Sequence, residues 1–234
     1  MVLPLVSARL REGREFRFAA FTHWDADHIG GLVHVLRACR PVELFRPNID
    51  YDLITLLCSR INDRALPRLI DDMIALEATM EVRPIGARDS INDLGPNVEI
   101  HALAPGRTAR TRVREAVRDP SLLHLPSSLR SLRNCVSLVL WIKVFGRALL
   151  LPGEVDADMA GELNAQFSRI SGRVHEDPRA VWIKLGHHGS RTATSSELIR
   201  CFAYDQFVAS ASHGARYGHP HPRVLQIVRQ GGGR

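Results

Sequence analysis

Apolar positions along this chain fall into short continuous runs and into longer stretches with helical spacing. Short apolar runs predict strands over 18–21, 42–45, 80–85, 98–103, 136–144, 147–151, 181–185 and 207–210. Apolar residues three or four positions apart predict helices over 32–40, 51–76 with a break near Pro67, 158–167, 197–200 and 222–229. The 234 residues suffice for one sizeable domain, which we expect to span 1–234.

The densest group of polar side chains lies directly after the first predicted strand. This segment, residues 22–31, is called the motif segment below. Two imidazoles and two carboxylates fall within six of its positions: His23, Asp25, Asp27 and His28. Nitrogen and oxygen donors together suit borderline divalent ions such as Zn or Mn. Gly30 and Gly31 are expected to let the backbone pass close to the site before a helix begins at Leu32. The alternative is a solvated polar loop between strand and helix.

Composition and charge limit the substrates and the cellular location to be expected for such a site. The formal charge is +6, and only Lys143 and Lys184 are lysines, so arginine carries most of the positive charge. Arginine forks suit phosphate oxygens, although genomic base composition explains the same usage equally well. Four scattered cysteines indicate neither a disulfide framework nor a thiolate zinc site, which favours a cytoplasmic location. No apolar run is long enough to span a membrane.

Four further segments, together with the motif segment, carry a resemblance to a known family. The motif segment resembles the H-x-[HD]-x-D-H-x-G-G motif of the metallo-β-lactamase superfamily, in the form found in the metallohydrolase domain of ComEC/Rec2 competence proteins. The other matching segments, in the family's order, are N-C-V-S-L-V-L at 134–140, L-L-L-P-G-E at 149–154, K-L-G-H-H-G-S at 184–190 and Y-G-H-P-H-P at 217–222. The resemblance covers most of the chain from about residue 18 to 228.

The resemblance implies a fold, and the N-terminal part of this chain departs from the family's pattern. It implies an α/β fold, a metallo-β-lactamase-like αββα sandwich with metal loops along one edge of two facing sheets. Relatives carry a pair of strands with a D-x-G turn before the motif, and residues 1–21 lack that turn. We therefore expect the first sheet to lack part of its N-terminal strands.

The resemblance also assigns roles to individual residues. It implies two divalent metal ions, Zn or Mn, one held by His23 and Asp25, the other by Asp27 and His28. Glu154 would bridge the ions, His188 would complete the second ion's ligands, and His187 would donate a proton; the reverse order of the two histidines, or Asp156 in place of Glu154, stays open. The candidate catalytic residues are thus Asp27, His187 and His221, and the candidate substrate-binding residues are Asn134, Lys184, Ser190 and His219.

The implied activity is hydrolysis by a hydroxide held between the two ions, with a phosphate-containing substrate. Phosphodiesters fit best, and single-stranded DNA is one candidate by analogy with the competence group. Two alternatives are a lactone or ester hydrolase of the same fold and a non-catalytic binding module, which Glu154 in place of the family's Asp favours.

Residues 105–133 form an Arg-rich connection that ends where the resemblance resumes. We interpret it as a mobile loop or lid close to the site, and a solvated basic loop without a role is the alternative.

Overall fold

Two β-sheets organise the protein in this computed structural model. The structure describes residues 16–59, 64–119, 121, 126–171, 180–201, 204–211 and 218–230. The chain divides into two compact units: the first comprises Met1–Ile85 and Arg110–Arg133, the second Gly86–Ala109 and Asn134–Arg234. The prediction of an α/β fold with two sheets is confirmed, whereas the metallo-β-lactamase-like αββα sandwich and a single domain over 1–234 stay predictions.

Strands and helices alternate along most of the chain. The elements in order are β1 Phe18–Ala20, α1 Ala26–Cys39, β2 Glu43–Pro47, α2 Tyr51–Ser59, α3 Leu66–Glu77, β3 Glu81–Ile85, β4 Ser90–Ile91, β5 Val98–Ala104, α4 Arg107–Arg118, α5 Pro126–Cys135, β6 Val139–Val144, β7 Arg147–Leu151, α6 Ala160–Ser171, β8 Ala180–Lys184, α7 Ser196–Cys201, β9 Gln206–Val208 and α8 Pro222–Gln230. Among these helices none combines the length and the apolar character needed to cross a membrane.

The first unit contains a three-stranded parallel sheet in the order β1-β2-β3. Each strand is followed or preceded by a helix because parallel neighbours need a crossover connection. Leu44 and Phe45 of β2 are fully buried, as expected for the central strand. The predicted loss of N-terminal strands concerns residues before 16, which lie outside the described part of the chain.

The second unit contains a six-stranded sheet in the order β4-β5-β6-β7-β8-β9. β4 to β7 pair antiparallel, and the predicted hairpin around Phe145 and Gly146 is confirmed. β7, β8 and β9 pair parallel, so the chain segments that follow β7 and β8 leave the same edge of the sheet. Those segments carry Glu154 and the adjacent histidines His187 and His188.

Helix α1 begins six residues earlier than predicted, at Ala26 instead of Leu32. Asp25 adopts an extended conformation at the N-cap position, and its carbonyl accepts hydrogen bonds from the backbone N–H groups of His28 and Ile29. Asp27 in the first turn complements the positive end of the helix. Residues 26–31 of the motif segment therefore form the start of a helix, and only residues 22–25 precede it.

The prediction of a loop over residues 105–133 is wrong, because α4 and α5 occupy most of this segment. Ala109, Val113 and Ala116 recur at helical spacing along α4 and are buried. Their small apolar side chains give the helix a packed face despite its many arginines. In α5, Leu129 and Leu132 are buried in the same way.

A mostly buried polar cluster supports the motif segment within the first unit. The indole of Trp24 packs edge-on against Phe21 and Tyr51, with ring centroids 5.1 and 6.0 Å apart. The Tyr51 hydroxyl donates a hydrogen bond to Glu77, whose other oxygen lies 3.3 Å from Nε of Arg46. The Arg46 guanidinium also covers the Tyr51 ring at 4.9 Å. Tyr51 is thus fixed on both its face and its hydroxyl, and it holds Trp24 in place.

Tyr51 is expected to resist ionisation at alkaline pH. Burial, followed by the hydrogen bond and the negative charge of Glu77, raises the pKa of Tyr51 well above its usual range. Because the folded-state pKa is raised, the stabilising contribution of Tyr51 is complete below about pH 10, the unfolded-state value, and is lost as the pH rises above it. The absorbance titration at 295 nm of the wild type minus that of Tyr51→Phe should show no transition near pH 10 while the protein stays folded. A difference curve with its midpoint near pH 10 would contradict this prediction.

Candidate metal centre

The first unit places four potential ligand side chains at the start of α1. Nε2 of His23 lies 3.9 Å from a carboxylate oxygen of Asp25, and Nε2 of His28 lies 3.8 Å from one of Asp27. The two imidazole rings are 4.1 Å apart between centroids. His23 and Asp25 are mostly buried, whereas Asp27 is 64% exposed. Two histidine–aspartate pairs therefore lie side by side.

Thr22 orients both imidazoles of this group. Its hydroxyl oxygen lies 2.9 Å from Nδ1 of His23 and 3.2 Å from Nδ1 of His28. Contacts at both Nδ1 atoms leave the Nε2 atoms directed at the carboxylates. Such a contact at the far nitrogen of an imidazole is the usual way in which a metal-ligating histidine is held.

The second unit contributes a buried carboxylate between two histidines. Glu154 follows β7, is 4% exposed, and its backbone N–H donates a hydrogen bond to the hydroxyl of Ser137 at 3.3 Å. One carboxylate oxygen of Glu154 lies 3.6 Å from Nδ1 of His187, and the other lies 3.7 Å from Nε2 of His188. A buried carboxylate needs positive charge nearby, and both imidazoles are placed to share a cation with it.

The hydrogen bonding of His188 favours it over His187 as a metal ligand. Nδ1 of His188 lies 2.6 Å from the carbonyl oxygen of Ser210, so this nitrogen donates its proton to the carbonyl. Nε2 of the neutral ring is then a lone-pair acceptor, and it is the atom that faces Glu154. A backbone carbonyl that fixes the tautomer in this way is typical of metal-binding histidines.

The two histidines occupy a strained turn after β8. His187 and His188 have φ values of 45° and 56°, in the left-handed region that residues other than glycine seldom adopt. Gly189 follows with φ of 86°, and a Cβ there would lie 2.6 Å from Cβ of Pro220. Backbone strain of this kind persists where the surrounding structure enforces it, and it concentrates at functional sites. The backbone N–H of His187 is anchored on the carbonyl of Gly153 at 3.1 Å.

The remaining two histidines of the site prediction have different surroundings. The ring of His219 lies 6.0 Å from that of His187, and burial, followed by the neighbouring histidines, lowers the pKa of His219. His221 instead accepts a hydrogen bond at Nδ1 from the backbone N–H of Arg223, at the start of α8. The ring of His219 thus lies near that of His187, whereas His221 also caps helix α8.

The candidate substrate-binding residues also have structural roles. Asn134 is buried near the end of α5, and its Oδ1 has no hydrogen-bond partner among the described residues. Nζ of Lys184 lies 3.4 Å from the carbonyl of Leu185, and burial lowers the Lys184 pKa while Glu154 opposes the shift. The hydroxyl of Ser190 is 3.0 Å from that of Thr192. Substrate binding by these residues stays a prediction.

Both units hold histidine, aspartate and glutamate side chains that belong to groups able to hold a metal ion. These are His23, Asp25, Asp27 and His28 in the first unit, and Glu154 and His188 in the second. Asp156, the alternative to Glu154, is not a member of these groups among the described residues and precedes the 3-10 turn Ala157–Met159. The donor set of imidazole nitrogens and carboxylate oxygens fits Zn or Mn.

Sequence reasoning missed three side chains or groups that contact the candidate ligands. They are Thr22, the carbonyl of Ser210 and Arg133, whose guanidinium contacts Asp25. Thr22 was detectable because it adjoins the motif segment. Arg133 was one of many arginines before Asn134, so nothing in the sequence set it apart.

The chain is similar to competence proteins of two bacteria. It is 24% identical over 209 residues, 89% of this chain, to ComE operon protein 3 of Bacillus subtilis (strain 168). It is 32% identical over 99 residues, 42% of this chain, to Competence protein ComA of Neisseria gonorrhoeae. A comparison with models of known protein families finds no match. The similarity to ComEC-type competence proteins expected from the motifs is thereby supported.

The matched regions are small parts of both relatives. The alignments span 22% of the length of the Bacillus protein and 13% of that of the Neisseria protein. The chain thus matches less than a quarter of the length of either relative.

Gly189→Ala is expected to destabilise the protein and to disturb the histidine turn. A side chain at φ of 86° is strained by about 1–2 kcal/mol, and the contact with Pro220 adds to this. Gly161→Ala is the matched control, because Gly161 lies in α6 with no atom within 4 Å of the added Cβ. The free energy of unfolding from urea titration should fall for Gly189→Ala and stay equal or rise for the control. Equal stability of both variants would show that this turn is not constrained as described.

Proposed function

We propose that this chain is a metal-dependent hydrolase that acts on phosphodiester bonds. The observation that carries the proposal is the arrangement around Glu154, a buried carboxylate flanked by Nδ1 of His187 and Nε2 of His188. The Ser210 carbonyl fixes the His188 tautomer in the form that a metal ligand requires. A polar group of this kind is costly to bury unless a cation compensates it.

The proposed ligands are those that the resemblance assigns. His23 and Asp25 are assigned to one ion and Asp27 and His28 to the other, and Glu154 and His188 complete the set. Bound divalent ions would supply the positive charge that makes a water molecule acidic enough to attack at neutral pH.

The other histidines are proposed to handle protons and to orient the substrate. His187 faces Glu154 through Nδ1, which suits a donor to the leaving oxygen after bond cleavage. The lowered pKa of His219 keeps it neutral at pH 7, so it can donate a hydrogen bond without adding charge. His221 accepts a hydrogen bond at Nδ1 and thus carries its proton on Nε2, where it is also able to donate.

A basic helix face supports a phosphate-bearing substrate. Arg110, Arg114 and Arg118 follow each other at four-residue spacing along α4, and the last two are exposed. Like charges at this spacing repel one another and destabilise a helix. Arg114 lies 3.7 Å from Asp50, but both side chains are more than half exposed, so this ion pair offsets little of the repulsion. An anionic polymer would neutralise the whole row at once.

The comparison with known proteins also favours a nucleic-acid substrate. Competence is the capacity of a cell to take up DNA, and one of the two relatives is named Competence protein ComA. This context favours a polynucleotide, with single-stranded DNA as the first candidate, over a lactone or a simple ester.

One observation favours the alternative of a non-catalytic binding module. Arg133 already neutralises Asp25, which reduces the need for a cation at that carboxylate. Metal analysis after reconstitution separates the two functions, because the binding module predicts no tightly held ion and the hydrolase at least one.

A side-by-side activity screen tests the proposed reaction. The chain loaded with Zn or Mn should cleave bis(p-nitrophenyl) phosphate or single-stranded DNA, and Asp27→Ala should lower turnover by at least about 100-fold through loss of a ligand. Asp71→Ala, which removes an exposed carboxylate from α3, should leave turnover unchanged. A lactone as the preferred substrate, or equal turnover by Asp27→Ala, would contradict the proposal.

Replacement of the basic face should weaken nucleic-acid binding. The triple variant Arg110→Gln, Arg114→Gln and Arg118→Gln should bind single-stranded DNA at least about tenfold less tightly and lower the log–log salt slope by about 2. A second triple variant, Arg68→Gln, Arg147→Gln and Arg229→Gln, removes the same charge from scattered exposed positions. Fluorescence anisotropy over a range of salt concentrations measures both. If the two triple variants lose affinity equally, only net charge matters and the face has no special role.

A further inference from the structure

Arg133 forms a mostly buried ion pair with one of the candidate ligands. Its Nη1 donates a hydrogen bond to Oδ1 of Asp25, across 108 positions of sequence and within the first unit. The two side chains are only 12% and 18% exposed. Such a pair is screened by salt far less than a surface pair.

Arg133 contacts one carboxylate oxygen of Asp25, and the other oxygen faces His23. Oδ2 of Asp25 lies 3.9 Å from Nε2 of His23, while Oδ1 contacts the guanidinium. Asp25 stands at the N-cap position of α1 but makes no side-chain hydrogen bond to the helix, although aspartate is a favoured capping residue. Its carboxylate contacts Arg133 instead of capping the helix.

The two halves of the motif segment therefore differ in electrostatics. The carboxylate of Asp25 contacts a guanidinium, which keeps its charge at every pH that a protein tolerates. Oδ2 of Asp27 lies 3.8 Å from Nε2 of His28, a ring that is positive only when protonated, and Asp27 is far more exposed than Asp25. A divalent ion at His23 and Asp25 would meet a fixed positive charge at close range in a partly buried setting, which costs affinity.

We propose that Arg133 takes the place of a cation at the His23–Asp25 half of the motif segment. Tight metal binding is then confined to the half that contains Asp27 and His28, and a second ion binds weakly. This inference rests on the metal site of the proposed function. It assigns Arg133 as a positioning residue that sets the metal stoichiometry.

A second role for Arg133, in which it strengthens metal binding, is also physically reasonable. It predicts the opposite change in metal affinity when Arg133 is replaced. If the guanidinium on Oδ1 instead orients Oδ2 toward the ion, its loss weakens the first site by roughly 10–100-fold. The sign of the change in metal affinity therefore decides between the two roles.

The experiment is a titration of the metal-free full-length chain with ZnCl2 at pH 7, followed by calorimetry and by metal analysis after dialysis. The variants are Arg133→Met, which keeps an unbranched apolar stem and removes the charge, and Arg133→Lys, which keeps the charge. Arg37→Met is the matched control, since Arg37 pairs with Asp72 at 2.6 Å on the exposed surface.

We expect about one tightly held ion for the wild type, Arg133→Lys and Arg37→Met, and two for Arg133→Met. The second ion should bind at least about tenfold more tightly to Arg133→Met than to the wild type. Zinc should also raise the Tm of Arg133→Met more than that of the wild type, because the unpaired Asp25 carboxylate gains a counter-charge.

Several results would overturn the inference. They are two ions of similar affinity in the wild type, an unchanged or weaker second site in Arg133→Met, and the absence of tight zinc binding in both proteins. The wild-type titration alone is decisive if Arg133→Met does not fold. Failure of the proposed function is a separate result: a zinc-loaded wild type with the expected stoichiometry but no turnover removes the hydrolase and keeps the role of Arg133.

Discussion

Compensation of buried carboxylate charge is the constraint on which the rest of this structure depends. Asp25 and Glu154 are both largely removed from water, and an uncompensated carboxylate in such a place destabilises a fold by several kcal/mol. A guanidinium compensates the charge of Asp25, whereas Glu154 faces two imidazoles, which are positive only when protonated. Imidazoles leave room for a metal ion, whereas a guanidinium competes with one.

The surrounding elements hold these groups at the ends of strands. In the second unit, β7 and β8 are parallel neighbours, so Glu154 and the histidine turn emerge from the same sheet edge. The left-handed backbone of His187 and His188 is braced by the packing of Gly189 against Pro220. In the first unit, Tyr51 holds Trp24 between the two candidate ligands that flank it in sequence, His23 and Asp25. Each unit thus prepares its own ligand set.

Local patterns in the sequence predicted most strands and helices, and the motifs predicted the candidate site residues that the structure gathers within each unit. The errors arose where polarity masked periodicity: the buried row of Ala109, Val113 and Ala116 was present in the sequence, but the arginines around it suggested a loop. The start of α1 differs from the prediction because the pair Gly30 and Gly31 indicates a loop, although glycine also fits inside a supported helix. Contacts between distant segments, such as Arg133 with Asp25 or His188 with Ser210, depend on tertiary packing and have no local signal.

The central claim is that the His188–Glu154 group binds a divalent ion, and anomalous scattering tests it most directly. Crystals of the zinc-loaded chain, measured on both sides of the zinc absorption edge, should show an anomalous peak roughly 2.0–2.2 Å from Nε2 of His188 and from the carboxylate of Glu154. The Ser210 carbonyl should remain bonded to Nδ1 of the same ring. A peak bonded to Nδ1 of His188, or no peak at this group while zinc is bound elsewhere, would contradict the account.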